Sequence, residues 1–147
     1  MTIVQHWSID GVPADAQAAE FEIQSDADVV KVRQAARQLA QQAALSIVDQ
    51  TKIVTAVSEL ARNTLIHGGG GTAQVEIVKN EKRVGVRAVF MDEGPGIADT
   101  TRALSGGFST GGGLGLGLSG SRRLVDAFDL DTAPGRGTRV TVTKWAR

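Results

Sequence analysis

Apolar residues recur every three to four positions in several parts of the chain, and this spacing predicts helices. The first predicted helix covers about 27–45, and its apolar face carries Val29, Val32, Ala36, Leu39 and Ala43. Ser25 and Asp26 precede it and provide a side-chain oxygen for the free amides of the first turn. A second helix is predicted from Asp49 to Gly68, a short one over 99–104, and a last one over 118–128.

Elsewhere apolar and polar residues alternate, and this period of two predicts strands. Strands are predicted over 3–9 and 19–23, in a hairpin that turns at 79–83, and over 138–145 after a Pro-Gly-Arg-Gly turn at 134–137. Helices and strands are mixed without a repeating strand–helix–strand order. The pattern therefore predicts an α+β fold, built as a two-layer sandwich.

Length and composition narrow the class of protein. The 147 residues fit one domain over 1–147, in which 1–20 form an extension of unassigned role. Sixteen basic and sixteen acidic residues cancel, cysteine is absent, and no apolar run is long enough to span a bilayer. The start of the chain has no signal-peptide pattern. We therefore expect a cytoplasmic protein that has neither nucleic acid nor a membrane as its partner.

Glu59 and Asn63 are four residues apart on the second predicted helix, so both side chains emerge on one face, and His67 continues that line. On a surface helix such a pair is usually solvated and has no further role. A carboxylate beside an amide oxygen is also suited to a reaction on a hydroxyl group. The amide oxygen is a ligand for Mg²⁺, and the carboxylate can orient or deprotonate the hydroxyl.

The segment Asp92-Glu-Gly-Pro-Gly96 directly follows a predicted strand. Its residue types favour an ordinary surface turn. An acidic residue at a strand end, followed by glycines that permit close approach to the backbone, is also typical of a ligand site. In that interpretation Asp92 accepts a hydrogen bond from an exocyclic amine such as that of adenine.

Ten of the 18 glycines lie between Gly94 and Gly120, and apolar residues are interleaved with them, unlike in a solvated linker. The run Gly111 to Gly117 leads into the last predicted helix. Its backbone N–H groups and the positive end of that helix are suited to bind phosphate. Ser109 and Thr110 precede it and provide hydroxyl donors.

Other nucleotide motifs do not fit. The match to G-x-G-x-x-G at 115–120 follows a glycine loop instead of a strand, so a dinucleotide fold is not indicated. The sequence contains neither the phosphate-binding loop G-x-x-x-x-G-K-[ST] nor the H-R-D loop of eukaryotic-type protein kinases.

Taken in order, the motifs resemble those of the GHKL ATPase family. Glu59-Leu-Ala-Arg-Asn63 resembles its N box, Asp92 to Gly96 and Gly111 to Gly117 its two glycine boxes, and Gly135-Arg-Gly-Thr138 the motif before its last strand. Within the family the chain is most similar to the anti-sigma-factor-type serine/threonine kinases, and among these to the stressosome switch kinases.

The resemblance implies a Bergerat fold, in which a mixed, mostly antiparallel sheet has helices on one face and binds ATP and Mg²⁺. It implies that Glu59 is the catalytic base and Asn63 the Mg²⁺ ligand. The implied nucleotide-binding residues are Asn63, Asp92, Gly94, Gly96, Ile97, Ser109, Thr110, Gly111, Gly112, Gly113, Leu114, Gly115, Leu116, Gly117 and Thr138.

The implied activity is ATP-dependent phosphorylation of a STAS-type antagonist protein, with a sigma factor or a PP2C-type regulatory phosphatase as a further partner. An alternative is a non-catalytic module that binds such a partner and uses nucleotide only for conformational control. A binder needs Asp92 and the glycine loop as much as an enzyme does, so the prediction of catalysis depends mainly on Glu59. The sequence leaves open whether the protein is a monomer or a homodimer.

Overall fold

The computed structural model describes residues 17–98 and 114–147 of the chain, which form one antiparallel sheet and three helices. The strands lie in the order β1-β2-β3-β5-β4, and every pairing between them is antiparallel. In chain order the elements are β1 (Ala18–Ile23), α1 (Asp26–Gln42), α2 (Ile47–Ile66), β2 (Gly71–Lys79), β3 (Val84–Asp92), α3 (Leu114–Leu124), β4 (Ala127–Ala133) and β5 (Gly137–Trp145).

One face of the sheet is apolar because the strand register aligns the alternating residues of all five strands. Phe90 of β3 lies between Ala73 of β2 and Val140 of β5, and Val140 in turn pairs with Leu130 of β4. Helices α1 and α2 contact the sheet, and α3 packs on α2. Side chains from both layers form the buried core, which includes Leu39, Ile53, Leu60, Val75, Phe90 and Val142. The predicted α+β sandwich is confirmed.

Both long helices begin at a serine that caps their first turn. The Ser25 hydroxyl accepts from the N–H of Asp28, and the Asp28 carboxylate accepts from the N–H of Gln24. Ser46 accepts in the same way from the N–H of Asp49. These bonds satisfy amides that have no partner inside the helix. Among the described residues, no helix is long and apolar enough to cross a membrane.

The end of α1 has a residue in the left-handed region that is not glycine. Ala44 has φ 62°, its N–H donates to the carbonyl of Gln41, and the N–H of Leu45 donates to that of Ala40. This hydrogen-bond pattern is the Schellman motif, whose left-handed position is most often glycine.

A group of charged side chains joins the start of α2 to the end of the chain. The Lys144 ammonium, whose side chain is 4% exposed, lies 3.6 Å from Asp49 and 3.3 Å from Asp126. Arg147 contacts the same two carboxylates at 3.6 and 2.9 Å. The N–H of Trp145 also donates to Asp126, at 2.8 Å. We call Asp49, Asp126, Lys144 and Arg147 the charge cluster.

The last predicted helix is wrong in both of its bounds. Helix α3 begins at Leu114 and ends at Leu124, and the following residues form strand β4. Phe128 was predicted as the last residue of that predicted helix, and Leu130 follows it two positions later. They alternate with Asp129 and Asp131 instead, and they pair with Val142 and Val140 along the edge of the sheet. The predicted strand over 3–9 and the predicted helix over 99–104 lie outside the described residues.

Candidate nucleotide site

Helix α2 presents Glu59 and Asn63 one turn apart. Glu59 is exposed and, within 17–98 and 114–147, makes no ion pair. Asn63 is half-buried, and its side-chain Nδ2 atom is fully buried without a hydrogen-bond partner among the described residues. A buried amide group without a partner costs free energy, so it is a position where a bound group is expected. Nδ2 is a hydrogen-bond donor, so its missing partner would be an acceptor group such as a phosphate oxygen, and the role of the amide oxygen at Mg²⁺ stays a prediction.

The end of α2 brings these residues to the end of β3. The carbonyl of Asn63 accepts from the N–H groups of His67 and Gly68, and Gly70 N–H donates to the carbonyl of Thr64. Gly68 then lies directly against the Asp92 side chain. The segment that follows Asn63 and the segment that begins at Asp92, 29 positions later, thus meet at the end of β3, as the resemblance implied.

Asp92 is half-buried at the end of β3, on the face that carries the helices. Its Oδ1 accepts from the N–H of Gly94 at 2.9 Å, and the N–H of Thr138 also donates to the carboxylate. Burial raises the pKa of Asp92 above its ordinary value, although both hydrogen bonds act in the opposite direction. A desolvated carboxylate with free acceptor capacity is suited to bind an amine group of a ligand.

The loop after β3 is held against the turn between β4 and β5. Gly96 has φ +74°, and the carbonyl of Pro95 accepts from Gly135 N–H at 2.8 Å. The N–H of Ile97 donates to the Thr132 hydroxyl at 3.0 Å. The first glycine box is therefore an ordered wall of the site, built on the same end of the sheet as Asp92.

Thr132 belongs to the site although the sequence did not indicate it. Its hydroxyl donates to the carbonyl of Gly137 at 2.8 Å and accepts from Ile97 N–H. It also lies 2.9 Å from the Thr138 hydroxyl, which must be the donor in that pair because the one proton of Thr132 is already used. The lone pairs of Thr138 are then directed away from Thr132. No sequence signal identified Thr132, because it follows residues that were assigned to a helix.

The second glycine box is described only in part. Leu114, Gly115, Leu116 and Gly117 were predicted as a loop, but their backbone forms the first turn of α3. The first amides of a helix have no intrahelical partner, so this turn still offers N–H groups to an anion. Ser109, Thr110, Gly111, Gly112 and Gly113 lie outside the described residues.

A cavity of about 560 Å³ has Asp92 and Gly68 in its lining and extends along the sheet face opposite the helices. Its lining includes Glu22, Thr72 and Met91, which the register places on the sheet face opposite the helices, and it includes neither Asn63 nor Thr138. On the helix side of Asp92 lie Asn63 and Thr138, which were both predicted to bind the nucleotide.

Known proteins resemble this chain over most of its length. Residues 48–147 match the model of the family described as histidine kinase-, DNA gyrase B- and HSP90-like ATPases. The chain is 42% identical over 125 residues to the serine/threonine-protein kinase RsbT of Bacillus subtilis, covering 85% of this chain and 94% of that one. It is 29% identical over 106 residues to an anti-sigma F factor of Thermoanaerobacter, covering 68% and 73%.

Solved structures share the fold. The RsbU and RsbW domains of a Mycobacterium tuberculosis protein align with a TM-score of 0.60 at 20% identity, over 88% of this chain and 33% of that one. A mycobacterial sensor histidine kinase, MprB, aligns with a TM-score of 0.53 at 17% identity, over 87% and 97%. The family model and the relative from Bacillus subtilis confirm the family that the four motifs indicated, and the solved structures agree in fold. The chain belongs to the histidine kinase-, DNA gyrase B- and HSP90-like ATPase family.

Proposed function

We propose that this protein is an ATP- and Mg²⁺-dependent serine/threonine protein kinase. The observation that carries the proposal is the position of Glu59. It is an exposed carboxylate without an ion pair among the described residues, one turn before Asn63 on the helix whose end meets Asp92. A protein that only binds nucleotide has no use for this second acidic group beside the metal ligand.

Each residue then has a separate task. Asp92 accepts from the amine of adenine, the Asn63 amide oxygen binds Mg²⁺, and the first turn of α3 binds phosphate oxygens. Bound ATP would supply the phosphoryl group, and Mg²⁺ would supply the positive charge that neutralises the phosphate oxygens. Glu59 orients the serine or threonine hydroxyl of the substrate and takes its proton as the hydroxyl oxygen attacks the γ-phosphorus. ADP leaves with the bridging oxygen.

The relatives support a particular class of protein substrate. One of them is named a serine/threonine kinase and another an anti-sigma F factor. We propose that the substrate is a STAS-domain antagonist protein and that the kinase acts in the cytoplasm on a partner-switching pathway. A sigma factor or a PP2C-type phosphatase would be the partner that is bound or released after phosphorylation.

The test is transfer of label from γ-labelled ATP to STAS proteins encoded near this gene. Wild-type protein should label one of them, and Glu59→Ala should lower the rate by about 100-fold or more, as loss of a general base does. Glu81→Ala is the matched control, because Glu81 is an exposed carboxylate in the β2–β3 turn, and it should keep the wild-type rate. Equal rates for the Glu59 variant and the wild type would refute the role of this residue.

A second candidate is a module that binds its partner and does not transfer phosphate; the name anti-sigma F factor describes such a binding function without excluding transfer. In that case the wild type would bind ATP and a partner protein tightly, and label would reach none of the STAS candidates. Asp92→Asn tests nucleotide binding alone, which both candidates require. It should weaken ATP binding, whereas Asp129→Asn, an exposed carboxylate on β4, should not.

A further inference from the structure

Gly68 lies where a side chain cannot be accommodated. A Cβ atom built on Gly68 would be 2.6 Å from both the Cβ and the Oδ2 atom of Asp92. Real Cβ atoms are not found this close to other heavy atoms. Gly69 and Gly70 have positive φ angles, but Gly68 does not. The requirement for glycine at 68 therefore comes from the Asp92 side chain and not from the bend of the chain.

Gly94 also lies against both Gly68 and the Asp92 carboxylate, and it too has no room for a side chain. A Cβ on Gly94 would lie 2.8 Å from the Cα atom of Gly68 and 3.1 Å from Oδ1 of Asp92. Asp92 is thus held between two glycine backbones, and the N–H of one of them, Gly94, donates to its Oδ1.

The backbone around Gly68 has little freedom to retreat. Its N–H donates to the carbonyl of Asn63 at 3.2 Å, and two residues later Gly70 N–H donates to Thr64 at 3.0 Å. Gly71 already belongs to β2 and pairs with Asp92 on one side and Ile23 on the other. A methyl group at 68 would therefore displace Asp92: a change of its side-chain torsions can move Cγ and Oδ2 away, whereas the contact with its Cβ also requires a shift at the end of β3.

We propose that Gly68 is a positioning residue for recognition of the nucleotide base. Because Gly68 has no side chain, the Asp92 carboxylate can keep the orientation in which it faces the adenine amine. The inference rests on the proposed function, because it requires that Asp92 binds adenine. It adds that base recognition and the metal ligand share one segment, since Gly68 N–H is bonded to the carbonyl of Asn63.

The test is base discrimination, measured by calorimetric titration of ATP and of inosine triphosphate. Inosine has a carbonyl oxygen where adenine has the amine, so an aimed Asp92 should favour ATP by at least about 10-fold, the effect of one hydrogen bond to a charged group. In Gly68→Ala the affinity for ATP should fall to within about threefold of that for inosine triphosphate, while the latter changes little. A general loss of structure would weaken both nucleotides alike.

Gly120→Ala is the control, because an added Cβ there meets no atom within 4 Å, and it should keep the wild-type discrimination. If Gly68→Ala also keeps it, the positioning role is wrong and the proposed function stands. If the wild type itself does not prefer ATP, the adenine role of Asp92 is wrong and the positioning role of Gly68 fails with it, whereas the kinase activity is still decided by label transfer in Glu59→Ala.

A measurement on the wild type decides the question if Gly68→Ala does not fold. In amide NMR spectra, the Gly68 signal should shift strongly on addition of ATP and only weakly with inosine triphosphate. An equal response to both nucleotides, or none to ATP, would overturn the proposal.

Discussion

Lys144 is the residue of the charge cluster whose replacement should cost the most stability. Lys144→Met keeps the apolar stem in its buried position and removes the charge. Among the described residues, Arg147 at 3.6 Å would then be the one remaining ion-pair partner of Asp49, whose side chain is 8% exposed, and Arg147 itself is 60% exposed. Removal of one partner of a buried ion pair costs about 3–5 kcal/mol, because the other charge stays desolvated.

The low end of that range applies here. Arg147 still faces both carboxylates, and Asp126 is 22% exposed, so water can solvate part of the cluster. We expect the free energy of unfolding to fall by about 3 kcal/mol, and the melting temperature by about 6–12 °C for a chain of this length.

Urea unfolding followed by circular dichroism, without nucleotide, measures this loss. Lys82→Met is the matched control, because Lys82 is exposed in the β2–β3 turn and makes no ion pair with any described residue. It should change stability by less than about 0.5 kcal/mol.

The double variant Lys144→Met/Asp49→Asn tests the cause of the loss. It should be more stable than Lys144→Met alone, since the unpaired carboxylate is gone. A Lys144→Met melting temperature within about 2 °C of wild type, or strictly additive effects in the double variant, would refute the reasoning.

Three further predictions concern titration and backbone geometry. Because burial raises the pKa of Asp92, ATP affinity should begin to fall on acidification at a higher pH than an ordinary aspartate would give, and titrations of Asp92→Asn should lack this step. Burial also acts to raise the pKa of Asp126, but the Trp145 N–H and the Lys144 and Arg147 charges outweigh it and leave the pKa below 3.8. The stability that Asp126 contributes is therefore present above about pH 4 and lost as pH falls through that lower pKa, and acid unfolding of Asp126→Asn should show a smaller loss. Ala44→Gly should raise the free energy of unfolding by about 0.5–1 kcal/mol in urea, because Ala44 occupies the left-handed region at φ 62°; a destabilised variant would contradict this.

Local patterns were enough to predict most of the described elements. The apolar faces of α1 and α2 are continuous over several turns, so each helix could be located from its own residues. Strand β4 could not, since it has only four partly buried apolar or threonine positions, and these become a strand because Val140 and Val142 are available as partners. Thr132 shares this limitation, because its role depends on hydrogen bonds to Ile97, 35 positions away.

The glycines show the same difference between local and distant causes. A high glycine content indicated a site, but it did not distinguish glycines that bend the chain from glycines that leave space for another group. Gly69 has φ +75° and open space around it, so its requirement is conformational. Gly68 has an ordinary φ and no space, and its requirement is set by Asp92, 24 positions later. Only the packed structure separates the two.

Helix α2 is fixed at both ends by residues that are distant from it in the sequence. The charge cluster holds Asp49 near its start, and contact with Asp92 holds Gly68 just past its end. Glu59 and Asn63 lie between the two anchors, so neither residue can move along the sheet without disturbing one of them. If the proposed roles hold, loss of the Lys144 anchor should lower phosphate transfer more than ATP binding, because the proposed ATP contact is with Asp92 at the other anchor, whereas transfer would also require Glu59 in place. Equal losses in both would mean that the charge cluster stabilises the fold without positioning the helix.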